Sequence, residues 1–187
     1  MRAFDPRAVA RRECGAWVAY YRRQWPRFLA YAVGMVRSGF AMPWPRTVRG
    51  AWFVLRANQS WAPADNDPDG ARRYMRQFYD LVTRTHGETF DTTEAARLEV
   101  EWWRAHREAQ RDGTTSEELV DALAALYAHV YQTASATVRV AAVERADAMV
   151  ISDRWVVDGR DLNSPALTSE RAALTRSYAA LLAAVHR

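Results

Sequence analysis

Glu99 and His106 stand seven residues apart in a stretch whose apolar positions, Ala95, Leu98, Trp102, Ala105 and Ala109, recur at three- and four-residue steps. Seven residues make two helical turns, so the carboxylate and the imidazole stack on one face. On the inward side of a helix such a pair can share a metal with ligands from neighbouring helices. Four more titratable residues are in phase with apolar stripes: Glu13 with Trp17 and Tyr21, His129 with Ala122, Ala125 and Leu126, and Glu144 and Asp147 with Val140, Val143 and Ile151. A lone carboxylate is expensive to bury unless it is paired or ligates a metal. Two imidazoles with several carboxylates suit iron, mono- or dinuclear, or manganese better than a structural zinc. Haem on His106 or His129 is the weaker alternative.

These residues point to a metal- or cofactor-dependent oxidoreductase of the iron oxygenase or oxidase type, acting on a small molecule. Its metal set is Glu13, Glu99, His106, His129, Glu144 and Asp147. The competing reading makes them satisfied core groups, with Glu13 paired to an arginine such as Arg56 and His129 bonded to a backbone carbonyl or a tyrosine. The protein is then a non-enzymatic interaction module that uses its Arg-rich first helix on an acidic partner, nucleic acid or anionic lipid. A third reading is a metal-free enzyme using an aromatic pocket and arginines.

The Glu99–His106 spacing resembles the Glu and His that one helix contributes in haem-oxygenase-like diiron proteins. The resemblance implies a helical bundle and an iron site. That family also gathers a His, an Asp and a second His on a late helix, whereas the last helical stretch here has no Asp and its only His is His186. The Glu-x-x-His pair of ferritin-like diiron bundles is absent from the sequence.

The elements that position these residues are helices. Asp5-Pro6 and Asp67-Pro68 are N-cap and first-turn pairs, Asp91 to Glu94 has capping-box spacing, and His86-Gly87 supplies a helix stop. The first stripe runs from Glu13 to Val36 through Pro26, which kinks or splits that helix. Further helices are expected from about Thr47, from Asp67 to His86, from Asp91 to about Arg111 with a stop at Asp112-Gly113, and from Thr115 onward. The last of these is interrupted over 133–137 and resumes to about Val157. A final helix starts at Ser164-Pro165. The expectation is an all-α single domain over 1–187, a bundle of six or seven helices. Asp65 to Gly70 resembles the start of a calcium loop, but Arg76 stands where such a loop needs Glu, so a turn and helix cap is the better reading. Cys14, with no activating base nearby in sequence, reads as core.

Composition supports helix. The 187 residues include 34 Ala and one Ile, and all 26 basic residues are Arg. The absence of Lys removes Schiff-base and lysine-nucleophile chemistry. One Cys excludes a disulfide framework or a Cys-based zinc module. The +4 net charge is unevenly spread: residues 1–50 carry +8 and the remainder −4. The excess is thus local to the first quarter, which makes nucleic acid a poor partner for the chain as a whole. The longest apolar run, Phe28 to Val36, is nine residues, too short to span a bilayer. A cytoplasmic protein with a small-molecule substrate, open to homodimer formation, is the expected setting. The 22 aromatic residues fall mainly at helical core spacing and can wall a pocket for an apolar molecule.

Overall fold

The computed structural model describes residues 2–112 and 116–186, without the side chains of 111 and 112. The described residues form eight helices: α1 (Pro6–Tyr21), α2 (Trp25–Phe40), α3 (Trp44–Trp61), α4 (Pro68–His86), α5 (Thr92–Asp112), α6 (Glu117–Tyr131), α7 (Ser135–Val157) and α8 (Ala166–Val185). The chain is all-α, as its composition indicates. The count exceeds the expected six or seven because two interruptions are complete breaks.

At the first break, Pro26 lies in the opening turn of α2 and Arg23 takes a left-handed conformation at φ 56°. Pro26 has no N–H for a continuing helix, so the chain turns at residues 22–24 instead of kinking. At the second, Gln132 is left-handed at φ 51° and closes α6, and Ala134 is extended ahead of α7.

The start signals at Asp5 and Asp67 hold in detail, and α6 is capped by Ser116 rather than by the expected Thr115. Asp5 Oδ1 accepts from the Arg7 amide at 2.9 Å, Asp67 Oδ1 from the Gly70 amide at 2.8 Å and Ser116 Oγ from the Leu119 amide at 3.1 Å. Each satisfies a first-turn N–H that has no partner within its helix. Asp67 thereby acts as a cap, and the turn reading of the Asp-rich segment stands. Gly87 closes α4 at φ 66°. Gly113 and Thr115, which complete the expected stop and start between α5 and α6, lie outside the described residues.

Each helix packs against its neighbours in sequence, and α8 closes against α1, so the eight make a ring. Helix α5 also touches α7. Helix α7 turns its small face inward: Ala141, Ala142, Ala146 and Ala148 are buried with Met149, while Val140 and Val143 are 65% and 39% exposed. Alanine lets α6 and α8 approach α7 closely, and the valines are left to solvent. Most of the apolar core is one continuous cluster, with a smaller one under α1, α7 and α8 around Cys14, Trp155 and Leu174. Among the described residues no helix is long and apolar enough to cross a membrane.

Candidate functional site

The ring surrounds a partly open cavity of about 180 Å³ that all eight helices line. Its walls are largely aromatic and aliphatic, with Phe28, Met75, Phe78, Trp102, Trp103 and Tyr131 among them. Two carboxyl groups enter it, Glu13 from α1 and Glu99 from α5.

Glu13 is 2% exposed. Arg145 Nη2 donates to its Oε1 at 2.5 Å, and the Tyr178 hydroxyl donates to Oε2. Arg145 Nη1 donates to the Tyr127 hydroxyl at 3.0 Å, and the guanidinium lies 4.9 Å from the centre of the Trp102 ring. Burial opposes the charge on Arg145, but Glu13 and the surrounding Tyr127, Tyr178 and Glu99 outweigh it and hold the guanidinium charged. Burial, with Glu13 adjacent, pushes the Tyr178 hydroxyl well above its ordinary range, so it remains a donor.

Glu99 behaves differently. Its Oε2 accepts from the Tyr79 hydroxyl at 2.6 Å. Burial raises its pKa above the usual carboxylate value. The Tyr79 bond, the Arg145 charge and the Trp102 indole oppose the shift without cancelling it, and the Glu13 charge adds to it. Glu13 is therefore paired with a cation, while burial biases the Glu99 carboxyl toward its neutral form. Two donors nearby are buried without an aligned acceptor, Trp102 Nε1 and Arg145 Nε.

The six residues expected to form a metal set do not converge. Glu13 and Glu99 share the cavity, but His106, His129, Glu144 and Asp147 are not in its wall. His106 Nε2 lies 3.0 Å from Asp153 Oδ2 of α7, facing a separate surface cleft. His129 Nε2 lies 2.8 Å from the Asp91 carbonyl oxygen, the backbone contact named as the competing reading. Glu144 accepts from Arg176 Nε at 2.9 Å on the outer side of α7, and Asp147 is exposed. Among the described residues no three of His, Cys, Asp and Glu are grouped to hold a metal ion. The α7 pair misleads because its valine stripe faces solvent. Glu13 pairs with Arg145 rather than Arg56, whose guanidinium instead donates to Gln59 at 2.9 Å.

Sequence reasoning passed over Arg145 and Glu170, and both had a signal. Arg145 is four residues from each of Ala141 and Met149, on the buried stripe of α7, and Glu170 is three after Leu167 and four before Leu174 on that of α8. Glu170 is fully buried, and neither of its oxygens has an aligned hydrogen bond, although the Cys14 thiol and the Ser152 hydroxyl act on it. Burial pushes its carboxyl up to about 8. Cys14 packs beside it, and burial together with Glu170 pushes that thiol up to about 12, which leaves it inert as a nucleophile.

No protein-family model matches the chain, and no curated protein or solved structure matches it.

Proposed function

We propose that this protein binds a small, neutral, one-ring molecule in its central cavity and donates a hydrogen bond to an oxygen of that molecule from the Glu99 carboxyl. The observation that carries the reading is the pairing of a carboxyl biased toward its neutral form with a buried donor, Arg145 Nε, that has no acceptor, and with the Trp102 indole, which acts on Glu99 but makes no aligned bond. Unmet buried donors favour a ligand that brings an acceptor. The volume of about 180 Å³ supports the size, because an apolar cavity of about 150 Å³ admits benzene. Neutrality follows from charge: Glu13 and Arg145 are already paired with each other, so a charged ligand would find no free counter-ion in the cavity.

The test uses acetophenone labelled with carbon-13 at its carbonyl. Bound to the protein, its carbonyl signal moves downfield of the value in water, and Glu99→Gln reduces the shift. A bound signal that Glu99→Gln leaves unchanged overturns the role of Glu99.

A metal-dependent oxidoreductase draws support only from Glu13 and Glu99 sharing a cavity. The donor set does not fit: Glu13 is already held by Arg145 and Tyr178, Glu99 by Tyr79, and both candidate imidazoles are bonded elsewhere. Metal analysis after expression with iron or manganese supplied decides between the readings. Metal near one equivalent or more, lost in Glu99→Gln, would restore the oxidoreductase.

A further inference from the structure

We propose that the cleft between the α1–α2 turn, the α3–α4 link, α5 and the α7–α8 link binds the phosphate group of a small phosphate monoester. Three arginines distant in sequence converge there: Arg23, Arg107 and Arg160. Backbone carbonyls fix each of them. Arg23 Nη2 donates to Ala62 at 2.9 Å, Arg107 Nη2 to Trp61 at 2.7 Å and Arg160 Nη1 to Tyr21 at 3.0 Å. Arg22 joins at the rim by donating to the Arg160 carbonyl at 3.3 Å. Among the described residues none of the four has a carboxylate within ion-pair distance.

Asp153, the carboxylate that meets the cleft residues Tyr21, His106 and Gln110, is engaged by them. Asp153 Oδ1 accepts from Gln110 at 2.6 Å and from Tyr21 at 3.1 Å, and its Oδ2 meets His106 Nε2 at 3.0 Å. It orients the imidazole and leaves the arginines without a counter-ion. Burial, with Asp153 beside it, holds the Tyr21 phenol well above its ordinary range, so it remains a donor.

Natural chains neutralise or disperse surface arginines. Three that are held by carbonyls on a shared concave surface, with guanidinium N–H groups left over, match the forked recognition of a phosphate dianion. Two of the three are placed at a conformational cost: Arg23 and Arg160 are left-handed at φ 56° and 62°, a region that bulky L-residues avoid. The organic part of the ligand has aromatic walls to lie against. Tyr20 and Trp61 line the cleft, and the Arg107 guanidinium is stacked 4.4 Å from the Trp61 ring centre. Trp103 lines both this cleft and the central cavity, so the two sites share one wall but none of their charged groups.

Calorimetric titration of the full chain with inorganic phosphate, phenyl phosphate and phenol tests the site. Phenyl phosphate is expected to saturate it with a dissociation constant on the order of 1 mM or tighter, with inorganic phosphate weaker and phenol not binding there. Equal affinities for phosphate and its ester would instead make free phosphate the ligand and overturn the ester. The double variant Arg23→Gln/Arg160→Gln should weaken binding at least about tenfold, whereas Arg139→Gln, on the outside of α7, should not change it. Equal weakening in both variants overturns the site in favour of general charge attraction. Should the double variant fold poorly, the guanidinium Nε–H signals of the wild-type protein serve: phosphate must shift those of Arg23, Arg107 and Arg160. Absence of saturation by either phosphate, or binding only to DNA or anionic vesicles, overturns the proposal. Acetophenone should not compete, so the cleft and the cavity can fail separately.

Discussion

The Tyr79 hydroxyl of α4 donates to Glu99 Oε2 of α5 at 2.6 Å inside the cavity, where burial holds the Glu99 carboxyl above its usual pKa. The bond opposes ionisation loss only in part, and it is the shortest polar contact that Glu99 makes. Replacing Tyr79 by Phe removes the donor and keeps the ring. The carboxyl should then titrate at higher pH, visible as its protonated carbonyl infrared band persisting further into the alkaline range. Stability should fall by about 1–2 kcal/mol in denaturant unfolding. An unchanged carboxyl titration would mean that Tyr79 does not tune Glu99.

Glu13 and Arg145 pose a harsher case. Their ion pair joins α1 to α7 with side chains 2% and 12% exposed. Glu13→Gln strands a buried guanidinium, and such a loss costs about 3–5 kcal/mol. Removing both charges in Glu13→Gln/Arg145→Met should recover most of that, because a buried pair replaced by matched uncharged groups is close to neutral. Denaturant midpoints of the three proteins check this. A single variant as stable as wild type would contradict the pairing.

Glu170 sets a pH dependence. Its carboxyl titrates at about 8 in the folded protein against an ordinary value of 4.5. Between those values the folded protein keeps a proton that the unfolded chain has released. The stabilisation is complete below the lower value and is lost as pH rises through the upper one. Glu170→Gln stays neutral throughout, so relative to wild type it should gain about 5 °C or more in Tm on going from pH 5 to pH 8.5. Glu99 shifts in the same direction, so some slope should remain in the variant. Parallel Tm curves for the two proteins would contradict a protonated Glu170.

The sequence carried the fold further than the site. Pro26 and the caps at Asp5, Asp67 and Asp91 mark helix starts because their chemistry is local, fixed by a few neighbouring backbone groups. The inward position of Glu13 was legible for a similar reason, being set by phase with Trp17 and Tyr21. Its partner was not: Arg145 lies 132 residues away, and phase on one helix cannot say which other helix it faces. Glu99 and His106 illustrate a second limit. A straight helix drifts about 20° over seven residues, and two turns also carry the chain some 10 Å along its axis. That places the two residues in different surroundings, one in the cavity and the other against Asp153. On α7 Val140 and Val143 do not mark the inside: they are exposed, while Ala141, Ala142 and Ala146 are buried beside Val138 and Met149.

Titration calorimetry with a matched pair of one-ring molecules, acetophenone and ethylbenzene, tests the central claim most directly. They share size and shape, and only the first offers an acceptor to Glu99, Trp102 and Arg145. Acetophenone is expected to bind at one site per chain and ethylbenzene about tenfold more weakly, a difference of the size of one buried hydrogen bond. Equal affinity for the two, or no binding of acetophenone, would contradict the account.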